Sequence, residues 1–528
     1  MATYTAYLLT ESGSAILTED GKYLLAENTV PIVPQPPYPL PVAKPRDFPR
    51  LSKGVNLSGW YTLNGAQLIT DADLAIIKKE GFDHVRLNIA PGWTSPIPAE
   101  GGPTDAVGFG WDAADVDGKI PGADTVDLAI QMCIDAGLEV IIDLHTTMTT
   151  DNEKLLDPQY HYQTQPDPVA YVRPYQDSFC VMWRRIAERY RDYPQNAIAY
   201  EVMNEPQFYG YETNWFDFRN RIVAAIREID NLHYILTSTP CGGGTGYLWR
   251  NESVADSACG LAIHSYEPFD YTHRLTEWTG ISNPRNWVLN FKYPKQNNAI
   301  PSMRTLYKDD SVTQQDFDNY LASINYPDAA QSMLDSFDAE NWDTYAFDWI
   351  ADYVAEYCAP RANIRGFINE FGTYKQPYPM LPFYDPAGGH WSAPWRLEQN
   401  YVAIDLDEQS RSAYLHDSRS CWERKNLGWT AFGYAGNFGI SNIIGESYYR
   451  DNGENCPVYG GVWSRAFNVE NLNALIPQNV WYAKCPGNDN WNNLVQLMTG
   501  WNYIQDDQNG WTVITEDDST VIPCSGNN

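Results

Sequence analysis

The chain has 528 residues, 43% of them apolar and 14% aromatic, enough to bury a sizeable core, and no stretch of 18 uninterrupted apolar residues occurs. Disorder and membrane spanning are thereby excluded as readings of the bulk of the chain. A formal net charge of −31 would repel phosphate backbones and anionic lipid, so neither nucleic acid nor a membrane surface is an expected partner. Nine cysteines, at 133, 180, 241, 259, 358, 421, 456, 485 and 524, show no CxxC pair and no metal-ligand spacing. No metal site, cofactor or dense disulfide framework is expected.

In chain order, residues 1–30 come first and carry a period of eight: Leu9-Thr10-Glu11-Ser12-Gly13, Leu17-Thr18-Glu19-Asp20-Gly21, then Leu25-Ala26-Glu27-Asn28. Short apolar runs between Ser-Gly and Asp-Gly turns predict a three-stranded meander, too small to stand alone, with a frayed terminus as the alternative. The opening MATYTAYLLTESG has no basic stretch and no sustained apolar run, so a secretory signal is not expected. Residues 31–50 follow with eight prolines, a composition that favours an extended polyproline II linker.

From residue 51 to about 440, strand and helix patterns alternate. Eight strands are expected at 54–58, 84–90, 139–146, 198–206, 234–240, 261–268, 366–373 and 428–434. Between them lie helical patterns such as DADLAIIKKEG and ADTVDLAIQMCIDAG, each closing on a glycine, and FCVMWRRIAERYRD and WFDFRNRIVAAIREID, with apolar residues at helical spacing. Strands such as EVIIDLHT are apolar on both faces, and eight βα repeats predict a closed (β/α)8 barrel. The alternation is interrupted once, by an insertion at about 269–360, which would emerge at the catalytic face and overhang the site. Its Trp278, Trp287, Tyr293, Tyr307, Tyr320, Tyr326, Trp342, Tyr345 and Trp349 serve either as its own core or as platforms for flat ligands. Residues 441–528 form a Trp- and Asn-rich extension that completes or caps the barrel, with a hairpin expected at NGWTVITEDDSTVIPC.

Two strand ends carry a carboxylate where an apolar run gives way to a loop: Glu205 in Met203-Asn204-Glu205-Pro206 and Glu370 in Ile368-Asn369-Glu370-Phe371-Gly372. Pro206 stops one strand and Gly372 loosens the chain after the other, so both side chains would point into the barrel mouth. Facing carboxylates are the equipment for cleaving a glycosidic bond. Arg86, His145, His264 and Tyr266 are expected at the same mouth. A guanidinium beside Glu370 favours its ionised form, whereas a partly desolvated Glu205 keeps its proton.

Seven segments, KGVNLSGW (53–60), HVRLNI (84–89), IIDLH (141–145), EVMNEP (201–206), HSYEP (264–268), INEFG (368–372) and GWTAFGYAGNFGI (428–440), together resemble family 5 glycoside hydrolases in the same chain order. The resemblance implies Glu205 as general acid/base and Glu370 as nucleophile of a retaining mechanism. It further implies that Asn204 binds the sugar 2-hydroxyl, that Arg86 and Tyr266 hold Glu370, and that His145 and His264 line the subsite of the sugar whose bond breaks. Trp60 and Phe432 are counted with the substrate-binding residues, Phe432 standing where many members carry a tryptophan. The mechanism requires a carboxyl separation of about 5 to 5.5 Å.

Other signals are weaker. Gly242-Gly243-Gly244-Thr245-Gly246 lacks the Lys-Ser/Thr ending of a phosphate loop, and DAADVDGKIPGAD lacks the first and last ligands of a calcium loop. The expected substrate is a neutral or weakly charged β-linked polysaccharide, with endo cleavage preferred and exo cleavage the alternative. The N-terminal repeat resembles the starts of bacteriophage tail-associated proteins. With the proline linker it suggests a virion-borne depolymerase of host capsule or exopolysaccharide, released by lysis. The alternatives are a cytoplasmic or exported bacterial exo-β-glycosidase and a non-catalytic carbohydrate-binding or receptor-recognition barrel.

Overall fold

The computed structural model describes residues 49–57, 69–92, 123–146, 151–252, 258–273, 312–339, 344–358, 366–374, 408–434 and 438–444, apart from scattered positions within them, together with short isolated segments elsewhere. Eight strands form the centre: β1 (Lys53–Leu57), β2 (His84–Gly92), β3 (Glu139–Leu144), β4 (Ile198–Glu201), β5 (Tyr234–Ser238), β6 (Cys259–His264), β7 (Gly366–Phe371) and β8 (Gly428–Ala431). Each pairs in parallel with the next in sequence, and β8 pairs with β1 through Thr430 opposite Gly54, so the sheet closes into the expected barrel.

Alternation along these strands divides the barrel into two buried faces. Val85, Leu87 and Ile89, like Val140, Ile142 and Leu144, point outward into the main core shared with the helices. Ile141, Ala199, Leu236, Ala262 and Phe367 point inward as a separate apolar layer, across which Tyr234 and Phe367 meet edge to face at 6.2 Å. That is why the strands read as continuously apolar.

The helices follow their patterns. Helix α1 (Asp71–Lys79) opens with a capping box between Thr70 and Asp73 and buries Leu74 and Ile77, and α2 (Ala123–Asp135) precedes Gly137 at φ +77°. Helix α3 (Pro168–Tyr190) starts eleven residues earlier than its clearest apolar stripe, because Asp167 caps Ala170 N and Pro168 occupies the first turn. Its Pro174 lies inside the helix, while Val172 and Gln176 extend the buried side. Helix α4 (Glu212–Arg227) buries Trp215, Phe218 and Ile222.

The long connection after β6 contains α5 (Gln314–Ser323), α6 (Asp328–Ala339) and α7 (Thr344–Cys358). Trp287, Tyr293 and Phe347 are fully buried, and Tyr293 and Phe347 pack on Tyr414 of α8 (Glu408–Arg424) at 5.6 and 5.3 Å. These rings are core, not ligand platforms. Tyr320, Tyr326 and Trp349 are half-buried against the same core. Trp278 and Trp342, and the side chains of Tyr307 and Tyr345, lie outside the described residues.

At the N-terminus, Ala6–Tyr7 pairs antiparallel with Leu25–Ala26, and the rest of the expected meander and the proline linker lie outside the described residues. In the C-terminal extension, Gly510–Thr515 pairs with Val521–Ser525 as the expected hairpin, within a four-stranded antiparallel sheet. Residues 474–476 are buried, and the Ala474 carbonyl accepts from Arg419 of α8. The six cysteines 133, 180, 241, 259, 358 and 421 are free and buried.

Candidate active site

The inward positions near the carboxyl ends of the strands are polar, and one arginine organises them. Arg86 on β2 is fully buried. Its Nε and Nη2 donate to Glu201 Oε2 and Oε1 at 2.7 and 2.9 Å, a bidentate pair across the barrel. Nη2 also reaches Asn204 Oδ1 at 2.8 Å and Asp143 Oδ2 at 2.9 Å, while Nη1 donates to Asn56 Oδ1 at 2.9 Å and to Glu370 Oε1 in a short contact. Arg86 therefore does touch Glu370, but its closest geometric match is Glu201. Asn369 Nδ2 supports the same Glu201 carboxylate at 2.6 Å.

Glu370 sits in β7 and is almost fully buried; Tyr266 Oη donates to its Oε2 at 3.0 Å. Both of its oxygens are thus held, one by Arg86 and one by Tyr266, which itself lies two residues beyond β6. Burial and the adjacent Glu370 hold the Tyr266 phenol well above its ordinary range, so it stays a donor.

Glu205 lies four residues past the end of β4, not within the strand as expected. Strand β4 ends at Glu201, although Asn204 N still donates to Leu144 O at 2.9 Å, and Glu205 itself takes a positive φ of 36° before Pro206. This turn brings the carboxyl into the mouth with its side chain 35% exposed, against 5% for Glu370. Desolvation raises the Glu205 pKa, opposed by His145 and Arg86.

His264 bridges the two carboxylates: its Nδ1 lies 2.8 Å from Glu205 Oε1 and 3.4 Å from Glu370 Oε2. Burial pushes its pKa down to about 4, while the same Nδ1 hydrogen-bonds to Glu205 Oε1. One ligand-type atom from each of Glu205, His264 and Glu370 falls within 4.8 Å of the others. Such a trio has the donor chemistry of a divalent-cation site, yet the 2.8 Å His264–Glu205 approach is a direct hydrogen bond.

His145 stands just past β3, its Nδ1 2.7 Å from Asp143 Oδ2, with burial and Arg86 pushing its pKa down to about 4. Phe432 lies nearly parallel to its ring, 6.4 Å away. Asn204 is buried, with Nδ2 donating to Thr146 O at 2.8 Å as well as Oδ1 accepting from Arg86. Trp60 lies outside the described residues. Gly372 follows directly on the last residue of β7. A Cβ there would stand 2.5 Å from the Phe432 carbonyl, so it permits the close approach of the β7 and β8 ends.

Asn56, Asp143, Glu201 and Asn369, which carry the arginine cage, went unread in the sequence, although each sits within a quoted segment. A signal was available: each is a polar residue in an otherwise apolar strand. Asp143 and Glu201 each follow an outward apolar residue, Ile142 and Tyr200, which puts them on the inward face. Burial and the nearby Glu205 push the Asp143 pKa up to about 7 despite Arg86, whose one guanidinium is paired with Asp143, Glu201 and Glu370 together.

Residues 46–378 match the family model described as Cellulase (glycosyl hydrolase family 5). Endoglucanase C of Acetivibrio thermocellus is 28% identical over 263 residues, 47% of this chain and 66% of that protein, and Endoglucanase 3 of Fibrobacter succinogenes is 21% identical over 401 residues, 74% of this chain and 50% of that protein. The chain thus spans less than two thirds of the length of these curated relatives. The crystal structure of endoglucanase Cel5A from Thermotoga maritima shares the fold with a TM-score of 0.50 and 20% identity, covering 81% of this chain and 97% of that one. With the closed barrel and the match over most of its catalytic segments, this chain belongs to glycosyl hydrolase family 5.

Proposed function

We propose that the chain is a retaining endo-β-glycanase in which Glu370 is the nucleophile and Glu205 the general acid/base. The observation that carries this reading is the approach of the two carboxylates. One ligand-type atom of each falls within 4.8 Å of the other, which supports the short carboxyl separation of a retaining enzyme over the roughly 6.5 to 9.5 Å of an inverting one.

In this mechanism Glu370, held by Arg86 and Tyr266, attacks the anomeric carbon, and the glycosidic oxygen leaves with the proton of Glu205. Esterification removes the charge of Glu370, which lowers the pKa of Glu205 and lets it deprotonate the incoming water. In this reading Asn204 and His145 bind hydroxyls of the sugar being attacked, and the near-parallel Phe432 ring beside His145 supports it. The endoglucanase names of the relatives and the acidic charge favour a neutral β-glucan as first substrate.

Incubation with β-glucans, mannans, xylans and purified bacterial exopolysaccharides, with products followed by NMR and mass analysis, tests the reading. Retention of configuration at early times and internal cleavage are expected. The inverted anomer as first product refutes the mechanism, and release of single terminal units refutes endo action. Glu205→Ala and Glu370→Ala are each expected to lose at least 10³-fold in rate while remaining folded. Binding without turnover on every polymer would favour the carbohydrate-recognition reading.

The biological setting we infer is a virion-borne depolymerase of host capsule or exopolysaccharide. The eight-residue repeat and the proline-rich stretch that follows it support this placement. Mass spectrometry of purified particles from the parent genome tests it, and absence of the protein from them refutes it.

A further inference from the structure

The surface beside Glu205 carries exposed tyrosines. Phe208 is fully buried, but the next residue, Tyr209, is 44% exposed, and Tyr160 on the preceding loop is 40% exposed. The Tyr209 ring meets Tyr247 edge to face at 6.0 Å. The loops bearing them are fastened to one another and to the site. Gln207 Nε2 donates to Glu205 O at 3.1 Å, Gln159 Nε2 donates to Gln207 O, and Gly242 N donates to Pro206 O at 2.7 Å.

The glycine run after β5 now has a role. Cys241, Gly242 and Gly243 all take positive φ, of 63°, 84° and 71°. A Cβ on Gly242 would meet Tyr209 Oη at 3.6 Å, and one on Gly243 would meet the His264 ring at 3.6 Å. A single layer of bare backbone thus separates Tyr209 from the imidazole that holds Glu205. Burial, with Cys241, Tyr247 and Glu205 nearby, raises the Tyr209 phenol, which keeps its proton as a donor.

Which sugar lies here follows from the chemistry. The acid must face the oxygen that departs, so the group departing with that oxygen lies on the Glu205 side of the cleft, over the loops after β4 and β5. We propose that Tyr209, backed by Tyr247 and flanked by Tyr160, is the platform for the leaving-group sugar, a neutral pyranose stacked on the Tyr209 ring. This rests on the assignment of Glu205 as the acid. An amphipathic ring with an apolar face and a hydroxyl edge, held on hydrogen-bonded loops, suits a pyranose, which has the same two characters.

The test compares two substrates on wild type, Tyr209→Ala and Tyr209→Phe: the β-linked tetrasaccharide that wild type cleaves best, and the β-glycosyl fluoride of the matching disaccharide, whose leaving group carries no sugar. Tyr209→Ala is expected to lower kcat/KM on the tetrasaccharide tenfold or more, leave the fluoride within twofold, and shift the cleavage position. Tyr209→Phe should retain most of the tetrasaccharide activity. Equal losses on both substrates, or no loss on either, overturn the platform while leaving the acid assignment intact. If Glu205→Ala hydrolyses the tetrasaccharide as fast as wild type, the assignment itself fails, and the platform with it.

Discussion

Replacing Asp143 by asparagine gives a pH signature that can be worked from the geometry. Asp143 Oδ2 accepts from Arg86 Nη2 at 2.9 Å and from His145 Nδ1 at 2.7 Å, while Oδ1 has no partner among the described residues. Asparagine can place its oxygen at the Oδ2 position, so both contacts survive, and its NH2 at the unpartnered Oδ1 position, a buried donor without an acceptor that costs roughly 1 to 3 kcal/mol. In the wild type the native pKa is raised from 3.8 to about 7. Between these values the folded state holds a proton that the unfolded state has released, so stability falls by roughly 1.4 kcal/mol per pH unit, about 4 kcal/mol in all. Asp143→Asn removes that slope. Urea unfolding at pH 4.5, 6 and 7.5 should therefore show the variant less stable than wild type at the acid end, with the gap closing or reversing by pH 7.5. If the two proteins run parallel across that range, differing by less than about 1 kcal/mol in their pH dependence, then the carboxylate excess around Arg86 is not real.

Further outcomes follow from the same site. Arg86→Lys keeps the charge but has three donors for six oxygen partners, so it should lose about 3 to 5 kcal/mol in urea unfolding and at least 10²-fold in kcat. A near-wild-type rate would mean that charge alone suffices. Glu205 has a raised pKa from desolvation, so kcat/KM on oligosaccharides should fall on the alkaline side as its proton is lost, and a glycosyl fluoride, which needs no acid, should lack that limb. An identical limb on both substrates would assign the ionisation elsewhere. Gly428→Ala should unfold the barrel closure or destabilise it by more than about 3 kcal/mol, because the new Cβ would sit 2.0 Å from the Leu51 carbonyl; thermal melting reads this directly.

The barrel, the order of its strands and the two principal carboxylates were determined by the sequence alone. Periodicity is a local property: outward Val140, Ile142 and Leu144 alternate with inward Ile141 and Asp143, and eight such runs between amphipathic helices fit a sheet that closes on itself, with helices over one face and a packed interior on the other. Glu205 and Glu370 were legible because each stands where such a run stops. What only the tertiary structure decided is who touches whom across the barrel. Asn56, Arg86, Asp143, Glu201 and Asn369 come from five different strands, and a hydrogen bond between residues 313 positions apart, such as that from Asn56 Nδ2 to the Asn369 carbonyl, leaves no trace in local pattern. Their protonation likewise depends on three carboxylates converging on one guanidinium. The rings of the insertion were ambiguous for the same reason: burial of Tyr293 is set by Phe347 and Tyr414 arriving from distant helices, a property of packing that a ring's own sequence neighbourhood does not contain.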